Sequence, residues 1–121
     1  MDCIFCKIVE GEVPAYKLYE DELIMAFLDA NPIFPGHTLI IPKKHTLDIN
    51  SIDEDVLCYI MKKAKEIANM LVKSLHCDGF TLIQNNGFVQ EVKHYHLHII
   101  PKYKKKTVMS LEDVYKKITA K

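Results

Sequence analysis

Arginine is absent from this chain, and all sixteen of its basic residues are lysine. That absence excludes the flat, bidentate guanidinium clamps that proteins place on phosphates and guanine edges. A basic excess is missing as well. Sixteen acidic residues balance the lysines, so broad electrostatic capture of DNA or RNA is not expected. No apolar run approaches the length that spans a bilayer, and no membrane partner is expected. The start, Met1-Asp2-Cys3-Ile4-Phe5-Cys6-Lys7, lacks the basic lead and apolar stretch of a secretory signal, which points to a cytoplasmic setting. A Walker-type glycine loop and a carboxylate cluster suited to magnesium are also missing. Without linkers, repeats or low-complexity tracts, the 121 residues make one domain, 1–121.

What the chain does have is histidine in an unusual place. Three of its six histidines lie in His94-Tyr95-His96-Leu97-His98, at strict two-residue spacing. In a strand, successive side chains point to opposite faces, so the three imidazoles share one face and Tyr95, Leu97 and Ile99 the other. A solvated strand face draws on Lys, Thr, Glu and Ser rather than histidine. Imidazole titrates nearest neutrality, so such a row can accept and pass protons, attack phosphorus, or bind a metal. Three close imidazoles cannot all be cationic cheaply, and their titrations should be coupled.

The rest of the chain reads as three strands, a long helix and two strands. Tyr16–Glu20 and the apolar run Leu23–Leu28 form a hairpin about Glu20-Asp21-Glu22. Asn31-Pro32 and Pro35-Gly36 break the chain before a third strand, His37–Ile41, which stops at Pro42. Ser51 and Glu54 have the form of a capping box. Val56, Leu57, Ile60, Met61, Ala64, Ile67, Ala68, Leu71, Val72 and Leu75 then recur at three- and four-residue steps, the apolar stripe of a core helix. Asp78-Gly79 closes it. Phe80–Gln84 is the fourth strand, Asn85-Asn86-Gly87 a turn, and the histidine segment the fifth strand. Short helices are expected about Phe5-Lys7-Ile8 and from Ser110 to Tyr115, and Lys102–Lys106 is a solvated connector.

Cys3 and Cys6 have the spacing of half a zinc site, which His45 and His94 can complete if the N-terminal segment packs against the third and fifth strands. A redox pair and two inert buried thiols are the alternatives. Cys58 and Cys77 read as structural thiols.

His94-Tyr95-His96-Leu97-His98-Ile99-Ile100, with Gln90 four residues earlier, resembles the histidine triad signature. The likeness extends to Cys3-Ile4-Phe5-Cys6-Lys7-Ile8, Gly11-Glu12-Val13-Pro14-Ala15, Phe27-Leu28-Asp29, Pro35-Gly36-His37-Thr38-Leu39, Pro42-Lys43-Lys44-His45 and Gln84-Asn85-Asn86-Gly87. Nearly the whole chain is similar to the compact Hint-type branch of the histidine triad (HIT) superfamily. The resemblance implies an α+β fold: an antiparallel sheet of about five strands, one long helix and short terminal helices, pairing into a homodimer. It implies a purine nucleotide ligand such as AMP or GMP. The implied reaction cleaves nucleoside 5'-monophosphate derivatives, adenosine phosphoramidates above all, at the α-phosphate through a covalent nucleotidyl-histidine. A diadenosine polyphosphate hydrolase and a nucleotide-binding regulatory protein with vestigial activity are the other readings.

By the same resemblance His96 is the nucleophile, His98 its neighbouring phosphate donor, and His94 and His37 support the proton network. Asn85 would contact the phosphate or scissile oxygen, Asp29 the ribose hydroxyls, and Gln90 belongs to the substrate-binding set. Phe5, Ile8, Phe27 and Leu39 would line the base pocket. Several prokaryote-like relatives with this cysteine pair hold a structural zinc on the positions of Cys3, Cys6, His45 and His94; no catalytic metal is expected. On composition alone, Asp29 and Asn85 are equally turn residues, and the four apolar positions read as core ahead of pocket.

Two departures stand out. Only Phe88-Val89 separates Gly87 from Gln90, where relatives carry a longer glycine-containing loop on the leaving-group side. Glu91 replaces a small hydroxyl residue; since a carboxylate aimed at phosphate repels it, Glu91 is expected to turn outwards.

Overall fold

The protein is described here from a computed structural model covering residues 3–120. Met1, Asp2 and Lys121, the ends of the expected domain, lie outside the described residues. Helix α1 (Ile4–Val9) leads into strands β1 (Lys17–Glu20), β2 (Ile24–Leu28) and β3 (Thr38–Pro42), then helix α2 (Glu54–Leu75), strands β4 (Gly79–Gln84) and β5 (Leu97–Lys102), and helix α3 (Leu111–Thr119). The strands form one antiparallel sheet in the order β1-β2-β3-β5-β4.

β2 and β3 are buried at every residue, because the sheet is covered on both faces. Ile24, Ala26, Leu28 and Ile40 pack with Ile60, Ala64, Ile67, Leu71 and Leu75 of α2 and Val114 and Ile118 of α3. Met25, Phe27, Leu39 and Ile41 face the other way, onto Phe5 and Ile8 of α1. Two-sided burial explains why these strands read as continuous apolar runs rather than as alternation. Each large aliphatic side chain of α2 buried here contributes about 2 kcal/mol.

Three expectations for α2 need correction. Its N-cap is Asp53, whose carboxylate accepts from the amides of Asp55 (2.8 Å) and Val56 (3.3 Å). Ser51 sits in the turn before, its hydroxyl bound to Asp48 at 3.2 Å, so it cannot serve as the cap. Met61 is 44% exposed: one residue past Ile60, it stands about 100° round the helix, off the buried stripe. The helix ends on His76 in the left-handed region, ahead of the expected Asp78-Gly79.

The fifth strand is shorter than its alternation suggests, beginning at Leu97 rather than His94. The alternation itself persists through the extended lead-in. Tyr95, Leu97 and Ile99 are buried on the α2 side, while His96 and His98 face the α1 side. The β3–β5 register sets Leu39 opposite His98, and side chains directly opposite share a face. His37, two residues before Leu39, therefore reaches His98. The turn ahead of it needs glycine: Gly36 has φ +91°, and a Cβ there would lie 2.5 Å from Leu75 Cδ1 and 3.0 Å from Pro101 Cγ.

Tyr95 is fully buried among the α2-side aliphatics, and its hydroxyl has no hydrogen-bond partner among the described residues. An unmatched buried hydroxyl costs about 1–3 kcal/mol, so Tyr95→Phe should stabilise the fold by about 1 kcal/mol in denaturant unfolding. A loss of stability of that size would mean that the hydroxyl has a partner.

Candidate active site and metal cluster

A cleft of about 710 Å³ opens between α1, the Val13–Tyr16 segment and the α1-facing side of the sheet. Phe5, Ile8, Phe27 and Leu39 line it, as do His96, His98 and Asp29. The four apolar residues are at the same time the buried core of that face, so core and pocket are one set. His37 and His94 are buried and stand behind the cleft. Asn85 and Gln90 are not among its lining residues. Gln90 instead pins the loop, its Nε2 donating to Leu47 O (2.7 Å) and its Oε1 accepting from Gly87 N (3.2 Å). Glu91 is exposed as expected, yet it forms part of the cleft rim. Leu111, at the start of α3, also lines the cleft. Sequence reasoning missed it, because only the tertiary fold brings the C-terminal segment there.

Backbone partners set the hydrogen positions on the imidazoles. His96 Nδ1 lies 2.8 Å from the carbonyl oxygen of His94. A carbonyl only accepts, so Nδ1 carries the hydrogen and Nε2 keeps the lone pair. The logic runs the other way at His37. The Ile33 N–H donates to His37 Nδ1 at 3.1 Å, which puts the His37 hydrogen on Nε2. That nitrogen lies 2.9 Å from His98 Nδ1, which must accept, leaving His98 with an N–H at Nε2. His96 and His98, with ring centroids 4.8 Å apart, thus present a lone pair and an N–H donor side by side. Phe5 stands edge-on to His96, 5.1 Å between centroids.

Burial, with the neighbouring His96 and His37 adding to it, pushes the His98 pKa from its ordinary 6.5 down to about 4. Burial lowers His37 too, partly offset by Asp29, whose Oδ2 is 3.6 Å from His37 Nε2. Its Oδ1 accepts from Asn31 N at 2.8 Å. Both rings are therefore neutral at pH 7.

Behind the cleft, Cys3, Cys6, His45 and His94 bring four donor atoms within 4.8 Å of one another. His94 Nε2 lies 2.8 Å from Pro42 O. This places its hydrogen there and turns a lone pair on Nδ1 towards Cys3 Sγ (3.4 Å) and Cys6 Sγ (3.6 Å). His45 Nδ1 is 3.3 Å from Cys6 Sγ. Metal–sulfur bonds of ~2.3 Å and metal–nitrogen bonds of ~2.0–2.1 Å at tetrahedral angles require S···N edges of about 3.5 Å. The donor set and its spacing fit a tetrahedral metal ion. Burial, and the neighbouring Cys3, push the Cys6 thiol up to about 11, so thiolates here need a cation beside them. A second set, Asp29, His37 and His98, is equally close. Both His37 nitrogens and His98 Nδ1 are already committed to the Ile33–His37–His98 chain, which leaves this set fewer free lone pairs than the Cys3–Cys6–His45–His94 cluster.

The HIT domain family matches residues 10–105. The adenosine 5'-monophosphoramidase HNT1 of Saccharomyces cerevisiae is 43% identical over 107 residues, 87% of this chain and 65% of that protein. The adenylylsulfatase HINT3 of Arabidopsis thaliana is 40% identical over 115 residues, 93% of this chain and 58% of that protein. The crystal structure of a zinc-bound histidine triad family protein from Mycobacterium smegmatis superposes with a TM-score of 0.91 at 34% identity, covering 99% of this chain and 92% of that one. With its five-stranded sheet, its paired imidazoles and a family match spanning most of its length, the chain belongs to the HIT domain family.

Proposed function

We propose that this protein cleaves nucleoside 5'-monophosphate derivatives at the α-phosphate, adenosine phosphoramidates above all, through a covalent nucleotidyl-His96 intermediate. The observation that carries this reading is the opposed pair of tautomers. His96 Nε2 offers a lone pair to phosphorus without first losing a proton, and the adjacent His98 offers an N–H. In the first half-reaction the substrate carries a solvent proton on its bridging nitrogen, His96 Nε2 bonds to phosphorus, and the P–N bond breaks so that the amine departs neutral with the bonding electron pair, while the His98 Nε2–H hydrogen-bonds a phosphoryl oxygen. The positive charge thus passes from the departing nitrogen to His96. In the second half, water attacks phosphorus, its proton goes to the released amine or to solvent, and His96 is freed as the neutral ring. The apolar end of the cleft, Phe5, Ile8, Phe27 and Leu39, suits a purine of AMP or GMP, and Asp29 at its edge suits ribose hydroxyls. In this reading Asn85 meets the scissile oxygen only when substrate is bound, and Gln90 acts by holding the loop. The yeast and plant relatives named for AMP-type reactions support the substrate class.

Cys3, Cys6, His45 and His94 would hold a zinc ion, which when bound supplies structural cross-linking rather than reactivity. It would join α1 to β3 and to the lead-in of β5. A reducing, cytoplasmic setting suits the cysteine pair. Among the described residues no helix is long and apolar enough to cross a membrane. Pairing into a homodimer is supported by edge strand β4, which leaves Phe80, Leu82 and Ile83 each about 40% exposed.

Three outcomes are expected. His96→Ala should lower kcat on an adenosine phosphoramidate by about a thousand-fold or more and abolish the adenylylated species seen by intact-protein mass spectrometry. Wild-type turnover in that variant would refute the nucleophile. If the wild type binds AMP but turns over neither a phosphoramidate nor a diadenosine polyphosphate, the protein is a nucleotide-binding regulator instead; faster cleavage of the dinucleotide would favour that hydrolase reading.

Metal analysis should find one zinc per chain, lost in Cys6→Ser together with several kcal/mol of stability. Nucleotide affinity should fall as well, since Phe5 lies between the two cysteines. A metal-free wild type of full stability would count against the site.

The third concerns pH. An unfolded imidazole binds a proton near 6.5, whereas folded His98 refuses it until about 4. The unfolded chain therefore takes up more protons across that window, and stability must drop as pH falls through it. Unfolding free energies measured from pH 8 to pH 4 should be flat at the top and decline below about 6.5, and His98→Gln should flatten part of the decline.

A further inference from the structure

The polar lining of the cleft is short of positive charge. Its titratable side chains among the described residues are Asp29, Glu91, Tyr16, His96 and His98, with no lysine among them, and arginine is absent from the chain. His98 is neutral at pH 7. Of the two carboxylates, Asp29 is engaged, accepting from Asn31 N and lying beside His37. Glu91 is exposed and has no ion pair among the described residues. The nearby ammonium of Lys93 is turned to the carbonyl of Gly87, at 2.9 Å. Nor is Glu91 free to swing away with its loop. On one side Gln90 is buried and anchored to Leu47 and Gly87. On the other Val92 packs against the Phe5–Ile8 cluster. The backbone is thus held so that Glu91 stands at the rim of the cavity that contains His96.

We propose that Glu91 selects the leaving group. It favours a nucleoside 5'-phosphoramidate whose amine carries a second, cationic group, and it disfavours leaving groups that bring further negative charge. This rests on the phosphoramidate reading and adds no chemical step to it. The P–N bond breaks, the amine departs with the proton its nitrogen took from solvent, and water supplies the hydroxyl and proton that complete hydrolysis. The α-phosphoryl group meets the His98 N–H. A chain of further phosphates, or a carboxylate on the leaving amine, meets Glu91 with no ammonium among the described lining residues to offset it. A pendant ammonium finds a partner there.

The test is a matched series of adenosine 5'-phosphoramidates of equal chain length, ending in a quaternary ammonium, a hydroxyl or a carboxylate. For an exposed carboxylate each step in charge is worth about three-fold, so wild-type kcat/KM should span about ten-fold in the order ammonium, hydroxyl, carboxylate. The spread should lie in KM rather than kcat, because the contact is the same in ground and transition states, and should shrink at high salt. Glu91→Gln should compress the series to about two-fold, and Glu91→Lys should reverse its order. Because Glu91 is exposed, neither replacement opens a cavity. A flat wild-type series, or a spread that survives Glu91→Gln, overturns the role of Glu91 while leaving the reaction standing. Failure to turn over any member overturns the phosphoramidate reading, and this inference with it.

Discussion

One carbonyl group joins the two halves of this molecule. His94 is fully buried, its ring facing two sulfurs on one side and the Pro42 carbonyl on the other, while its own carbonyl oxygen accepts the Nδ1 hydrogen of His96 at 2.8 Å. Whatever fixes the His94 ring fixes that peptide group, and the peptide group fixes the tautomer and aim of His96. The imidazole in the cleft is thus positioned by a residue that does not line it. A metal ion on the four-donor cluster would tighten this arrangement from behind.

Helix α1 makes the same connection by a different route. It has only six residues, too few to be stable alone, and it is held by what its two faces touch. Cys3, the N-cap, and Cys6 lie three positions apart and so share a face. Phe5 and Ile8, also three apart, share another and form the apolar wall of the cleft, with Phe5 edge-on to Phe27, His94 and His96. The cysteine face looks to the four-donor cluster and the aromatic face to the cleft. Loosening one must loosen the other, because so short a helix has no internal rigidity to separate them.

How legible this was in the sequence depended on how local each signal is. The hairpin, the α2 stripe apart from Met61, the C-terminal helix and the alternation about His96 rest on near neighbours along the chain, and all are present. Errors arose where two local solutions compete. Ser51 and Asp53 can each cap α2, and the contest is decided by Asp48, which occupies the Ser51 hydroxyl. β5 begins later than the alternation predicts because alternation continues through an extended segment that has no ladder partner. For the site, His96, His98 and Asp29 are recognisable from spacing and resemblance. The contributions of Leu111 and Glu91 to the cleft are not, since they depend on where α3 and the Gln90 anchor come to rest.

The chain has two groups of imidazoles, and composition alone does not tell a metal ligand from a proton carrier. The difference lies in the backbone group that meets the far nitrogen of each ring. Where that group is a carbonyl, as Pro42 is to His94 and His94 is to His96, the near nitrogen is left with a lone pair. Such a ring can bind a metal or attack phosphorus. Where the group is an N–H, as Ile33 is to His37, the near nitrogen carries the hydrogen, and the ring passes that polarity on to His98. Strand pairing and the Gly36 turn decide which backbone group arrives at which ring. The chemistry assigned to each histidine is therefore a consequence of sheet register, and a one-residue slip between β3 and β5 would exchange cleft and core faces and abolish both groups together.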